Sequence, residues 1–156
     1  MNLEVITRTP NTTTPKPPLL FVHGIVHGAW CWDEHFLPYF AQHGYHTSAL
    51  SLRNHGRSEK VSNWRWLRIK DYVNDVAQVA TKIEAEYGQA PIVIGHSMGG
   101  YVGLELLKSR SIRLTLVHSN LWADSEQKQF DRDRVIEIVK KNKGYFLREA
   151  TPHLFA

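Results

Sequence analysis

The sequence predicts an α/β fold built on a mostly parallel, doubly wound sheet. Short apolar segments alternate with amphipathic segments, which is typical of strands connected by helices. Loops rich in glycine and histidine follow several of the apolar segments, where ligands bind in such sheets. With 156 residues, of which 42% are apolar, the chain has the size of one domain and can bury a core.

Five segments have the pattern of strands. The first alternates apolar and polar residues, whereas the runs LLFV and PIVIG fit strands that are buried on both faces. The predicted strands cover residues 3–8, 19–22, 46–52, 91–95 and 112–118. Residues 9–18 are rich in proline and threonine and are predicted to form a loop.

The strongest helical pattern covers residues 69–87, where apolar residues recur at spacings of three and four and Gly88 ends the pattern. Another helix is predicted over Trp30–Gln42, with a kink or break at Pro38 because proline disrupts a helix interior. Further helical segments are predicted up to about residue 108, from residue 125 onward, and over 145–155.

Composition argues against several classes of function. The net charge is +4, and the basic residues form no block, so we do not expect nucleic-acid binding. No apolar run has the length of a transmembrane helix, so stable membrane insertion is not expected. Cys31 is the only cysteine, which excludes an internal disulfide. The first residues lack a secretory signal, and a cytoplasmic location is expected.

One motif carries nucleophile chemistry. Gly95, His96, Ser97, Met98 and Gly99 match the pattern G-x-S-x-G and lie between a predicted strand and a predicted helix. A sharp turn at this place exposes the serine hydroxyl, and the crowded backbone requires residues without side chains at the two glycine positions. We therefore predict that Ser97 is a nucleophile.

A second motif, His23-Gly24, ends the first buried strand, where a loop that stabilises an oxyanion belongs. We predict that the backbone N–H groups of Ile25 and Met98 together bind the developing negative charge. For the His23 side chain itself we expect a role in bracing the backbone.

Three stretches, FVHGIVHGAWCW, LSLRNHGRS and VIGHSMGG, resemble the α/β-hydrolase superfamily in its serine-hydrolase branch. The first is similar to esterases and hydroxynitrile lyases, and the second to lysophospholipases and monoglyceride lipases. The resemblance covers about residues 3–120. It implies an incomplete α/β-hydrolase core over 1–120 and the start of a helical lid over 121–156. Asn54 stands where that family usually has glycine, at a turn that tolerates asparagine.

The acid and the base of a catalytic triad are not evident. In this family they follow the serine in the order acid, then histidine, on loops after later strands. No predicted strand follows residue 124, so we expect the chain to correspond to the N-terminal portion of a longer enzyme. Asp124 is a candidate acid, and His118 and His153 are candidate bases, although His118 also fits a structural role.

The resemblance implies a serine hydrolase that acts on a small-molecule carboxylic ester through an acyl-enzyme on Ser97, without a metal or an organic cofactor. Without its acid and base, the 156-residue chain is expected to be nearly inactive. The tryptophans fit either an apolar substrate pocket or packing of core and lid; they are Trp30, Trp32, Trp64, Trp66 and Trp122.

Two other functions remain open. The chain fits a catalytically dead module that binds a hydrophobic ligand or a partner, or a hydroxynitrile-lyase-like enzyme on the same fold. A haloalkane dehalogenase is disfavoured, because it needs a carboxylate where Ser97 stands. The predicted last strand, Ile112–Val117, would leave a free sheet edge, which predicts self-association.

Overall fold

Strands and helices alternate along the chain. The structure, a computed structural model, describes residues 1–12, 15–119 and 125–142. The strands within these residues are β1 (Val5–Arg8), β2 (Leu19–Val22), β3 (Thr47–Leu50), β4 (Ile92–His96) and β5 (Arg113–Val117). The helices are α1 (Trp30–Asp33), α2 (Phe36–Gln42), α3 (Ile69–Tyr87), α4 (Met98–Leu107) and α5 (Glu126–Lys141), with a 3₁₀ turn at Trp64–Trp66.

The strands form one sheet in the order β1-β3-β2-β4-β5. β3, β2, β4 and β5 run parallel, and β1 is antiparallel to β3. The predicted mostly parallel α/β sheet is therefore confirmed. Because β3 lies on one side of β2 and β4 on the other, the carboxyl ends of β2 and β4 flank the point at which the strand order reverses. Ligands of open α/β sheets bind at this point.

Two apolar layers cover the central strands. Leu20 and Val22 belong to a cluster with residues of α3 and α4, whereas Leu19 and Phe21 belong to a second cluster with residues of α1 and α2. Successive side chains of a strand point to opposite faces of its sheet, so the helices cover both faces. Every residue of β2 and β3 is buried, as expected for strands shielded on both sides.

The helical segment predicted over Trp30–Gln42 is interrupted, but not at Pro38. The interruption lies at Glu34 and His35, between α1 and α2, and Pro38 is the third residue of α2. The prediction of a break at Pro38 is therefore wrong in position. Proline is tolerated there because N–H groups in the first turn of a helix have no carbonyl partner within the helix.

The longest helix, α3, begins and ends at the predicted residues. At its start the Arg68 N–H donates a hydrogen bond to Asp71 Oδ2 at 2.8 Å. At its end Gly88 adopts a left-handed conformation with φ 69°, which favours glycine. These two signals fix the helix where the apolar periodicity indicates it.

One edge of the sheet is formed by β5, which pairs with β4 alone within the described residues. The sheet is therefore open on this side, as expected for an incomplete fold.

The chain divides into two compact units, Met1–Asn120 and Leu121–Ala156. The second contains α5, whose acidic first turn and basic last turn complement the helix dipole. The interpretation of residues 121–156 as the start of a lid stays a prediction, and the helical segment predicted for 145–155 lies outside the described residues. Among the described helices, none has both the length and the apolarity needed to cross a bilayer.

Candidate active site

Ser97 occupies the sharp turn between β4 and α4. Its backbone has φ 52° and ψ −114°, and its side chain makes no capping hydrogen bond to α4. A non-glycine residue held at positive φ costs about 1–3 kcal/mol, so the surrounding structure must fix it. Two hydrogen bonds fix this backbone conformation. The Ser97 N–H donates to the Val117 carbonyl at 3.1 Å, and the Ser119 hydroxyl donates to the Ser97 carbonyl at 3.2 Å. The turn thus keeps the Ser97 hydroxyl away from the helix ladder.

The glycines of the motif allow this turn to pack against β2. Gly95 is buried within β4, opposite Val22 of β2. A Cβ atom added to Gly99 would overlap the Val22 carbonyl oxygen and lie 2.7 Å from that of His23. Any side chain at position 99 would therefore push α4 away from the end of β2. Close contact between this turn and β2 depends on glycine.

The loop that follows β2 lies directly against the turn. A Cβ atom added to Gly24 would lie 3.2 Å from Ser97 Cβ and 2.8 Å from His96 Nδ1. The two motifs identified in the sequence are therefore adjacent in space, on either side of the reversal in strand order.

His23 connects this loop to the end of β3. It is fully buried; its Nε2 accepts a hydrogen bond from the Leu52 N–H at 3.0 Å, and its Nδ1 lies 2.6 Å from the Gly24 carbonyl oxygen. Since Nε2 accepts, the proton is assigned to Nδ1, which donates to Gly24. Burial lowers the pKa of His23 to about 4, so the ring is neutral at pH 7. This side chain braces the backbone of two loops.

Ile25 and Met98 line the same cavity. Met98 is the first residue of α4, so its N–H has no carbonyl partner within the helix. Within the described residues, the Ile25 N–H donates no backbone hydrogen bond. The following residue, Val26, has φ 58°, which is strained for a β-branched side chain. Two N–H groups without partners beside Ser97 are compatible with an oxyanion site, which stays a prediction.

Three histidines gather around the turn. The ring centroids of His27 and His118 each lie 6.0 Å from that of His96. Burial lowers the pKa of His96, and the neighbouring His27 and His118 lower it further. Within the described residues, no group of three or more histidine, cysteine, aspartate or glutamate side chains is arranged to hold a metal ion.

His96 and His118 were predicted site residues for separate reasons, whereas His27 lies in a quoted motif but was given no role. The strand order could have indicated the cluster. Each histidine ends or follows one of three strands, β2, β4 and β5, and these strands lie side by side. Among the described residues, no hydrogen bond links the Ser97 hydroxyl to a histidine ring. His118 has φ 46° and is exposed. The candidate acid Asp124 and the candidate base His153 lie outside the described residues.

A buried ion pair holds the loop after β3, and it was also missed. Arg53 donates to Asp75 of α3 from Nη2 at 2.6 Å, and the Arg53 N–H donates to Asp75 Oδ2 at 3.0 Å. The Asp75 side chain is 1% exposed. Asp75 lies on the apolar face of α3, next to Val76, and this position in the sequence could have indicated a buried carboxylate that needs a partner. The loop continues through Asn54, whose φ of 65° agrees with the tolerance expected for asparagine at this turn.

A cavity of about 570 Å³ lies between these two loops and α3. Its lining residues are Ile25, Asn54, His55, Lys60, Val61, Trp64, Leu67, Tyr72 and Met98. Trp32 belongs to the core, whereas Trp30, Trp64 and Trp66 are exposed. Of these three, Trp64 lines the cavity. Trp122 lies outside the described residues.

A strained serine on a strand-to-helix turn, beside a His-Gly loop at the reversal of strand order, is the arrangement expected of the α/β-hydrolase fold. The chain belongs to this family. Residues 19–155 match the model of the alpha/beta hydrolase family. The role of Ser97 as a nucleophile stays a prediction.

Curated relatives match between about half and two thirds of the chain. Protein phosphatase methylesterase 1 from Homo sapiens is 34% identical over 99 residues, which are 62% of this chain and 25% of that protein. Epoxide hydrolase B from Mycobacterium tuberculosis is 34% identical over 86 residues, which are 55% of this chain and 23% of that protein. The chain therefore spans about a quarter of the length of these curated relatives.

Solved structures share the fold. A thermophilic esterase from Thermogutta terrifontis superposes with a TM-score of 0.63 at 22% identity, over 96% of this chain and 53% of that chain. An esterase from Exiguobacterium antarcticum superposes with a TM-score of 0.67 at 16% identity, over 94% of this chain and 55% of that chain. This chain thus corresponds to about half of each structure.

Proposed function

We propose that the protein is a carboxylic ester hydrolase in which Ser97 is the nucleophile. The observation that carries the proposal is the backbone of Ser97, held at φ 52° with its hydroxyl free of α4. A residue keeps such strain where the surrounding structure imposes it, and such positions cluster at active sites. The esterase and methylesterase names among the similar proteins support an ester as the substrate class.

In the proposed reaction, Ser97 Oγ attacks the ester carbonyl carbon and its proton passes to a base. The carbonyl oxygen becomes an oxyanion, which accepts hydrogen bonds from the N–H groups of Ile25 and Met98. Loss of one such donor typically slows a reaction by about 10²–10³. The tetrahedral intermediate expels the alcohol, which takes up a proton, and leaves an acyl group on Ser97. Water then attacks the acyl carbon, releases the acid and restores the serine.

These proton transfers require a base that accepts the proton of the Ser97 hydroxyl. We infer that no base is in place among the described residues, because the Ser97 hydroxyl has no histidine partner among them. Asp124 and His153 remain candidates, and His118 would need its ring to turn towards Ser97. With no base in place, the 156-residue chain should hydrolyse esters slowly.

A second candidate is a catalytically inactive module that binds a hydrophobic ligand or a partner. It is favoured by two features of the described residues, the Ser97 hydroxyl without a histidine partner and the open edge at β5. The two functions differ in one respect. The hydrolase contains a serine that an external base can activate, whereas the inactive module does not.

Rescue with imidazole tests the proposal. Hydrolysis of p-nitrophenyl butyrate is measured with the parent chain, Ser97→Ala and the control Ser111→Ala at increasing imidazole concentration. The rate for Ser97→Ala gives the contribution of imidazole alone. We expect the parent and Ser111→Ala to exceed that rate increasingly as imidazole is added. Equal rates for all three proteins would refute the hydrolase and support the inactive module.

A further inference from the structure

The cavity of about 570 Å³ beside Ile25 and Met98 has the size of a small-molecule site. Most of its wall is apolar, formed by the side chains of Ile25, Val61, Trp64, Leu67, Tyr72 and Met98. The cavity borders the nucleophile turn through Met98, and the proposed reaction uses only the N–H groups of Ile25 and Met98 in its wall.

One polar side-chain atom in each of Asn54, His55 and Lys60 is engaged within the protein. Asn54 Oδ1 accepts from the Val61 N–H at 2.7 Å, and His55 Nδ1 lies 2.9 Å from the Arg53 carbonyl oxygen. Lys60 Nζ donates to the Gly56 carbonyl at 3.0 Å. Because six of the nine lining residues are apolar or aromatic, a ligand gains mainly apolar contacts in this cavity, which suits a hydrocarbon group.

The alcohol part and the acyl part of an ester have different chemical requirements at Ser97. The leaving alcohol must take up a proton as it departs, which does not suit an apolar wall. The acyl group stays bound to Ser97 and needs no proton. Because the wall includes the two residues whose N–H groups would hold the carbonyl oxygen, a chain attached to that carbonyl reaches the cavity directly.

We propose that this cavity is the acyl site, and that the substrates are esters of unbranched, uncharged acyl chains of medium length. The proposal rests on the proposed function, from which it takes the position of the carbonyl. It assigns to Trp64 the role of a wall that covers the chain. Trp66, two residues later in the same 3₁₀ turn, does not line the cavity and is 80% exposed, so it provides a matched control.

Binding is measured without chemistry, in Ser97→Ala protein, by ligand-observed NMR with N-methyl alkanamides of four to twelve carbons. Burial of one methylene is worth about a fourfold gain in affinity when complete, so we expect about a two- to fourfold gain per methylene until the cavity is filled. Trp64→Ala should weaken octanamide binding by about tenfold, within the range for loss of a large aromatic contact. Trp66→Ala should change it less than twofold.

A second variant, Val61→Phe, adds volume inside the cavity and should shorten the chain length at which affinity stops rising. Affinity that does not depend on chain length, equal effects of Trp64→Ala and Trp66→Ala, or an unchanged optimum in Val61→Phe would overturn the acyl site. Since Ser97 is absent from this measurement, failure of the proposed hydrolase appears only in the imidazole assay, whereas failure of the acyl site appears only here.

Discussion

Replacing His23 with glutamine should change how the stability of the fold depends on pH. His23 is fully buried, accepts a hydrogen bond from Leu52 and donates one to Gly24. Protonation at Nε2 would remove the acceptor for the Leu52 N–H and place a charge in the core. Burial accordingly lowers the pKa of His23 from 6.5 to about 4.

The sign and size of the pH effect on stability follow from the difference between the pKa of His23 in the unfolded chain and its pKa in the folded chain. Between pH 6.5 and pH 4 the unfolded chain binds a proton at His23 that the folded chain does not, so stability falls as the pH falls. Each pH unit between the two pKa values is worth 1.36 kcal/mol, which gives a loss of about 3 kcal/mol across this window. The contribution is fully present at pH 7 and above.

The assay is guanidinium unfolding of the parent and His23→Gln between pH 4 and pH 8. Glutamine does not titrate, and it should cost about 1–3 kcal/mol at pH 7 through imperfect hydrogen bonding. The free energy of unfolding of the parent, minus that of His23→Gln, should then fall by about 3 kcal/mol on going to pH 4, so that the difference closes or changes sign. Other titrating groups cancel in this comparison. Parallel stability curves for the two proteins would refute the assignment of His23 as a buried, neutral brace.

Three further predictions concern the neighbouring structure. Gly99→Ala should lower the melting temperature and abolish any Ser97-dependent ester hydrolysis, since its Cβ would overlap the end of β2; unchanged melting would contradict this. Asp75→Ala should lower the free energy of unfolding by about 3 kcal/mol, because the buried Arg53 loses its closest partner and keeps only Asp71, at 3.5 Å. Asp75→Leu combined with Arg53→Met should recover most of the loss; equal losses in both proteins would exclude this explanation. Thr115→Lys places a charge on the open edge at β5 and should reduce self-association in size-exclusion chromatography; an unchanged elution profile would locate association elsewhere.

Helix bounds and turns were predictable from the sequence where a single pattern determined them. The 19 residues of α3 follow a single apolar period with a glycine stop, so its bounds were recovered. The G-x-S-x-G motif was recognised because the turn tolerates few other sequences. The break in the segment 30–42 was misplaced because Pro38 was taken as a helix interior, whereas its place in the first turn depends on where α2 begins.

Contacts between distant segments could not be predicted in this way. The pairing of Arg53 with Asp75 joins two elements whose separate patterns give no partner. The histidine cluster requires the strand order, since His27 and His118 come together only because β2, β4 and β5 are neighbours. The cavity beside Met98 likewise depends on how the loop after β3 crosses α3, which the sequence pattern leaves open.

Mass spectrometry of the chain after reaction with a fluorophosphonate tests the role of Ser97 most directly. The probe replaces its fluoride with the attacking serine oxygen, so it marks the nucleophile itself. We expect slow labelling that is confined to the peptide containing Ser97, is accelerated by imidazole and is absent from Ser97→Ala. Labelling spread over several surface hydroxyls, or labelling that persists in Ser97→Ala, would contradict the assignment of Ser97 as the nucleophile.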